Sequence, residues 1–177
     1  MNTEIRLAGE GGQGLIKAGF ILGESSTVFD KKNAVQTSSY GVEARGGESS
    51  SDIIISDSKI YFPRVRHLDI LLSFTQMTAD KYVDILKDSG RLFIDDDFVK
   101  VPKNYDGEVF SFPYIRVART KFNLVIIANI IALSSIAYTT NVVSMEALRK
   151  AVLKNTPEKA KDMNIEAIDI GISFCKQ

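Results

Sequence analysis

The run Gly9-Glu10-Gly11-Gly12-Gln13-Gly14 constrains this chain more than any other stretch. It follows a short apolar segment, Ile5-Arg6-Leu7-Ala8, and opens a segment with helical spacing. Four glycines in six residues between a strand and a helix are more than a plain connector needs. Glycine serves where the backbone takes positive φ or where another group must approach it closely. A strand, glycine loop and helix start aim free N–H groups and the positive helix end at one point, which suits an anion or an extended polar partner. Gly9, Gly11 and Gly14 also match the G-x-G-x-x-G fingerprint of dinucleotide-binding sheets. That fingerprint wants an acid about twenty residues on, at the end of the second strand, to hold a ribose hydroxyl. The second strand is expected near Ala34-Val35-Gln36, runs into Thr37-Ser38-Ser39, and carries no acid there; Asp30 comes too early. Three readings stay open: a tight turn packing helix on sheet, a backbone surface for a partner or phosphate-bearing ligand, and a bound NAD.

At 177 residues the chain is expected to form a single domain, residues 1–177, with a substantial core. Lys plus Arg and Asp plus Glu are equal at 22 each, so nothing draws the chain towards nucleic acid or an anionic membrane. One cysteine, Cys175, and one histidine, His67, exclude an internal disulfide, a zinc finger and a self-contained iron–sulfur cluster. Cys175 is expected to be inert and His67 structural. The first residues lack the basic-then-apolar pattern of a signal peptide, and the apolar run at 122–138 is short for a bilayer and carries Asn123, Asn129, Ser134 and Ser135. A cytoplasmic protein is expected.

The spacing predicts a helix over residues 13–31, with Gly19 and Gly23 placed to admit a close neighbour. Residues 36–51 are rich in Ser and Gly with almost no apolar periodicity, and predict a long ordered loop. A hairpin is predicted over residues 52–62, turning at Asp57-Ser58 and ended by Pro63. A buried strand follows at 69–74, then a helix over 76–87 stopped by Ser89-Gly90, then a strand at 91–95. Asp95-Asp96-Asp97 at its end reads as a solvated strand end rather than a magnesium site. Turn signals fill 101–113, with a short strand around 108–110. An apolar helix is predicted over 121–138, with Asn129 hydrogen-bonding a backbone group or reaching a partner. Ser144 is expected to cap a helix, and Thr156-Pro157 to cap and begin the last one. Buried strands alternating with helices point to an α/β fold, a Rossmann-like three-layer sandwich with a mostly parallel, mixed sheet.

Two motifs together resemble a known family. Gly9-Glu10-Gly11-Gly12-Gln13-Gly14, continued by Ala18-Gly19 and Leu22, is followed by Tyr40-Gly41-Val42-Glu43-Ala44-Arg45-Gly46-Gly47. The pair resembles the gamma subunit, or gamma domain, of 2-oxoacid:ferredoxin (acceptor) oxidoreductases. The likeness extends through Ser56-Asp57, Ile60, Pro63, Asp69-Ile70-Leu71, Lys81-Tyr82, Gly90 and Asn129, nearly the whole chain. Ser134 departs from it, standing where the family often has glycine.

The resemblance implies a subunit of an assembly that oxidatively decarboxylates a 2-oxoacid, 2-oxoglutarate being preferred over pyruvate, branched-chain oxoacids and indolepyruvate, to an acyl-CoA and carbon dioxide. It implies alpha, beta and delta-type partner subunits that hold thiamine diphosphate, magnesium and iron–sulfur clusters, with coenzyme A entering the complex and ferredoxin or another acceptor taking the electrons. This chain alone is expected to be non-catalytic and to bind no cofactor by itself. The site residues implied are Gly9, Gly11, Gly12, Gln13 and Gly14 in the first loop, and Tyr40, Gly41, Glu43, Arg45, Gly46 and Gly47 in the second. Arg45 is expected to contact an anion or to be held in a salt bridge by Glu43.

Overall fold

The computed structural model describes residues 2–41 and 47–176. Six strands form one sheet in the order β2-β3-β1-β4-β5-β6. They are β1 (Asn2–Glu10), β2 (Asn33–Tyr40), β3 (Glu48–Ser56), β4 (Leu68–Ser73), β5 (Leu86–Asp95) and β6 (Glu108–Phe112). β1, β4, β5 and β6 run parallel, and β3 lies antiparallel to both β1 and β2. The mixed, mostly parallel α/β sheet is the one the sequence predicts.

Helices α1 (Leu15–Glu24), α3 (Tyr114–Phe122), α4 (Ala128–Thr140), α5 (Met145–Lys154) and α6 (Lys161–Phe174) contribute to one large core with the sheet. Alternation along β1 and β3 sends Ile5, Leu7, Ile53 and Ile55 into it. The opposite face carries α2 (Gln76–Tyr82) over a smaller cluster around Leu68, Leu71, Leu92 and Ile94. α4 is the central helix: ten of its thirteen residues, 128–137, are buried, because α3, α5, α6 and α1 all pack around it.

Several expected elements differ. The predicted loop at 36–51 is largely strand, because Gln36–Tyr40 pair with Ser49–Ile53 across the β2–β3 hairpin and Glu48–Ser51 pair with β1 on the other side. Ser51 is small where α1 comes down on it, while Ser38 and Ser39 are exposed. A Cβ placed on Gly19 would stand 2.1 Å from Ser51 Oγ. Gly23 has no such neighbour within 4 Å.

The predicted hairpin at 52–62 does not form. Both edges of β3 are occupied, by β1 and β2, so residues 59–62 have no ladder to join. The predicted helix over 76–87 ends at Tyr82, with a 3₁₀ turn at Val83–Ile85; Leu86 through Gly90 belong to β5, where Leu86 pairs with Leu68. The helix predicted over 13–31 is regular only to Glu24 and then widens into a π-turn, Ser25–Phe29.

The apolar run at 121–138 is broken. Asn123 takes φ 51° and ends α3, and the chain passes through a 3₁₀ turn, Val125–Ile127, before α4. Asparagine tolerates that left-handed conformation better than most residues. Ser144 caps α5, its Oγ accepting from Ala147 N at 3.1 Å. Pro157 does not begin a helix but precedes a 3₁₀ turn, Glu158–Ala160, and Thr156 Oγ1 donates back to Val152 O.

Asp95 is fully buried rather than solvated. Its carboxylate accepts from Ile115 N (2.7 Å) and Asp97 N (3.2 Å), so it closes the exposed amides at the start of α3. Asp96 and Asp97 remain exposed beside Arg116, each at 3.4 Å. Among the described residues no helix is long and apolar enough to cross a membrane.

Candidate functional site

The carboxyl ends of the parallel strands gather at one edge of the sheet, where open α/β folds present their sites. Gly9 and Glu10 end β1, Thr75 follows β4, Asp96 follows β5, and the tip of the β2–β3 hairpin projects at the same edge. The two glycine segments therefore meet. Gly11 N donates to Gly47 O at 2.9 Å, and Gly41 N donates to Glu48 O at 2.6 Å.

The first loop is folded on itself. Gln13 N donates to Glu10 O (3.3 Å), and Gln13 Oε1 accepts from Glu10 N (2.8 Å). Three of its amides, those of Glu10, Gly11 and Gln13, are thus engaged within the chain and are withdrawn from the anion cradle the sequence suggests. Gly12 and Gly14 take φ 94° and 72°, which explains glycine at both. Gly14 is also crowded: a Cβ there would stand 2.5 Å from Asn129 Nδ2 and 2.8 Å from Ile126.

Asn129 is the link between this loop and the core. It is 4% exposed, and its Nδ2 donates to Gln13 O (3.3 Å) and Gly14 O (3.0 Å). The backbone role predicted for it is the one observed.

A second anchor was not visible in the sequence. Glu48, the first residue of β3, receives hydrogen bonds from Lys81 Nζ (2.6 Å) and from the Tyr82 hydroxyl. Burial works to raise the Glu48 carboxyl, but the donors from Lys81 and Tyr82 outweigh it and hold it below the usual range. The Tyr82 hydroxyl is pushed up by burial and by the Glu48 carboxylate, so it stays a donor. Arg6 lies 4.2 Å over the Tyr82 ring and grips Asp52 with two contacts of 2.6 Å. Glu48 beside Gly47 and the Lys81-Tyr82 pair are its marks in the sequence, but nothing local shows that residues 33 and 34 positions apart meet.

Gly11 and Gly12 form a ridge between two open clefts. One, of about 510 Å³, is lined by Phe74, Gln76, Phe98 and Arg119 among others. The other, of about 560 Å³, is lined by Ile16, Lys17, Phe20, Tyr40 and Ile126. Tyr40 is 72% exposed, Phe20 and Phe98 50% each. Lys17 and Arg119 join no ion pair among the described residues; their neighbours Lys121 and Arg116 are committed to Glu166 and to Asp96 and Asp97. The edge thus combines bare backbone, exposed aromatic and aliphatic groups, and two available cations. Glu43, Arg45 and Gly46 lie outside the described residues.

The dinucleotide alternative loses its geometry. The strand beside β1 is the antiparallel β3, and β2 stands one place further out. A ribose-binding acid would have to come from a parallel strand adjacent to β1 on that side, and none is there. Asp95, Asp96 and Asp97 bring carboxylate oxygens within 4.8 Å of one another; Asp95 is directed at the Asp97 and Ile115 amides, and Asp96 and Asp97 stand 3.4 Å from Arg116.

Comparison with known proteins gives a consistent result. A model of the pyruvate ferredoxin/flavodoxin oxidoreductase family matches residues 4–174. The chain is 42% identical to the 2-oxoglutarate synthase subunit KorC of Methanocaldococcus jannaschii, over 100% of this chain and 96% of that protein. The keto/oxoacid ferredoxin oxidoreductase gamma subunit of Geobacter sulfurreducens has a similar structure, with TM-score 0.89 and 41% identity over 98% of this chain and 95% of that one. A chain of the Magnetococcus marinus 2-oxoglutarate:ferredoxin oxidoreductase shares the fold at TM-score 0.85 and 22% identity, over 99% of this chain and 31% of that one. With the family model spanning nearly every residue and relatives alike from end to end, the chain belongs to the pyruvate ferredoxin/flavodoxin oxidoreductase family.

Proposed function

We propose that this chain is the gamma subunit of a multi-subunit oxidoreductase that converts 2-oxoglutarate, coenzyme A and an oxidised acceptor to succinyl-CoA, carbon dioxide and reduced acceptor. The observation that carries the reading is the end-to-end likeness to a 2-oxoglutarate synthase subunit. Alpha, beta and delta-type companions hold thiamine diphosphate, magnesium and the iron–sulfur clusters. One cysteine cannot supply a cluster's thiolates, and Asp95, the buried member of the Asp95-Asp96-Asp97 group, is directed at backbone amides rather than at a diphosphate-bound cation. When bound on a companion, thiamine diphosphate supplies the carbanion chemistry.

The part left to this chain is positioning. The glycine edge is its docking surface, with Gly9, Gly11, Gly12, Gln13 and Gly14 in one loop and Tyr40, Gly41, Glu43, Arg45, Gly46 and Gly47 in the other. Exposed Phe20, Tyr40 and Phe98 supply apolar contact. Lys17 and Arg119 supply positive charge where coenzyme A phosphates approach. In this reading the assembly works in the cytoplasm.

Co-purification from the native host, with identification of the companion chains, is the first test. Acceptor reduction dependent on 2-oxoglutarate and coenzyme A is then measured with and without this chain. Loss of activity without it, and recovery on adding it back, support the reading. Oxidation of a ketoacid by the isolated chain refutes it, and faster turnover of pyruvate or a branched-chain oxoacid refutes the substrate assignment. An Arg45→Ala variant that leaves assembly and rate unchanged removes Arg45 from the site.

A further inference from the structure

The edge of the sheet opposite the glycine loops carries a feature that the docking function does not use. Residues 57–67 connect β3 to β4 without helix or strand, and only Ile60 and Val65 are even half-buried. The sequence there, Lys59-Ile60-Tyr61-Phe62-Pro63-Arg64-Val65-Arg66-His67, has three permanent cations and no acid. The loop is nevertheless fixed. The Glu4 carboxylate accepts from Arg66 N (2.5 Å) and His67 N (3.2 Å). Val65 packs against the smaller core, and Ser58 N donates to Ser56 Oγ at 3.2 Å.

What this fixed loop presents is unusual for free surface. Tyr61 is 84% exposed and Phe62 49%. Arg66 lies 4.1 Å from the Phe62 ring, and Lys59 lies 5.4 Å from the Tyr61 ring. Lys59, Arg64 and Arg66 join no ion pair among the described residues. Of the carboxylates around the loop, Glu4 is turned to backbone amides, Asp69 is paired with Lys87, and Asp57, at the start of the loop, lines a different cleft. A shallow cleft of about 390 Å³ is lined by Glu4, Lys59, Tyr61, Phe62, Arg64 and Arg66 among others. Tyrosine and arginine are the residue types that dominate binding energy at protein interfaces. An unpaired guanidinium fork matches a carboxylate with two parallel hydrogen bonds.

We infer that the 59–66 loop is a second docking surface, and that its occupant is a carboxylate-rich face of a companion subunit in the same complex. Charge complementarity selects the chemistry: three unpaired cations call for an acidic partner. A nucleic acid fits less well, because the ring faces that would stack on bases already carry the loop's own cations. A stable companion fits better than a passing one, because the loop keeps two aromatic rings in water whenever it is uncovered. The inference rests on the proposed function for the existence of companions, but not on the glycine edge.

The test uses the complex purified through a tag on a companion chain. Arg64→Glu with Arg66→Glu reverses the two forks, Tyr61→Ala removes the exposed ring, and Lys103→Glu is a charge-reversal control elsewhere on the surface. The affinity of full-length chain for complex depleted of it is measured across salt concentrations. The double variant is expected to bind about 10-fold to 100-fold more weakly at low salt. Its binding should also lose the salt dependence of the wild type, a change that a merely misfolded chain does not produce. Tyr61→Ala should weaken binding at every salt concentration, and Lys103→Glu should match the wild type. Affinity of the double variant within about twofold of wild type overturns the inference, as does unchanged affinity with a raised KM for the acceptor. A wild-type chain that joins no companion refutes the proposed function as well; a wild-type chain that joins while the variants bind equally refutes only this inference.

Discussion

Asn129 offers the most direct test of how the glycine loop is held. Its Nδ2 is the donor to both Gln13 O and Gly14 O, and Gly14 O has a second donor in Ala18 N at 2.9 Å. Asn129→Ala therefore costs Gly14 O only part of its partnership but takes a donor from Gln13 O. A lost hydrogen bond and a poorly satisfied buried carbonyl together cost about 1–3 kcal/mol. For a chain of this length, about 2 kcal/mol corresponds to a fall in Tm of about 4–8 °C.

Asn129→Asp separates hydrogen bonding from packing. It keeps the shape but sets a carboxylate oxygen against two carbonyl oxygens at about the same distances. The buried charge is disfavoured, so the carboxyl pKa rises in the folded state relative to the unfolded one. Stability of that variant should then be lowest at neutral pH and recover on acidification, as the protonated acid becomes a donor. Thermal unfolding of the purified chain between pH 4.5 and 7.5, followed by circular dichroism, checks both. If Asn129→Asp is as stable as wild type at pH 7, or Asn129→Ala melts within about 1 °C of wild type, the amide does not hold the loop and the argument fails.

Three further outcomes follow from the same geometry. Glu48→Gln should lower stability at pH 7 by about 1 kcal/mol; because the Glu48 carboxyl is held below its usual range, that contribution is present above the unfolded pKa and fades as pH falls through the folded one, so wild type and variant should converge in acid. Gly14→Ala should be more damaging than Gly12→Ala in thermal melts: both force positive φ on a side chain, costing about 1 kcal/mol or more, but only at Gly14 does the new methyl strike Asn129 and Ile126. Gly171→Ala should destabilise by about 1–3 kcal/mol, since its Cβ would stand 2.2 Å from Ile131 O and 2.8 Å from Ser134 Cβ where α6 crosses α4; a variant as stable as wild type by urea titration shows that the two helices can separate without loss.

Local sequence was a good guide where neighbouring residues decide the conformation. The glycine loop after β1, the buried strands at 69–73 and 91–95, the Ser144 cap and the family resemblance all follow from short stretches. The carboxyl-end placement of both glycine segments follows too, once the sheet is taken as parallel. The failures share one cause. Residues 36–40 and 48–51 are polar and small, and become strand only because β3 finds β1 on one side and β2 on the other. Residues 59–62 have the composition of a strand and are not one, because those same edges are filled. Asp95 looks solvated in a run of three acids, and is buried because α3 needs an acceptor for Ile115 N.

The class of fold, the tight glycine turns and the lack of thiolates for a cluster were legible along the chain, because each depends on a residue's own chemistry or that of its immediate neighbours. It took the assembled fold to turn the amides of Gly11 and Gln13 inward, to let Asn129 on α4 pin the first loop and Lys81 and Tyr82 on α2 pin Glu48 beside the second, and to leave Lys17 and Arg119 available. Those outcomes depend on which strand edges and carboxylates are already taken, and that is known only when the whole sheet has been assembled.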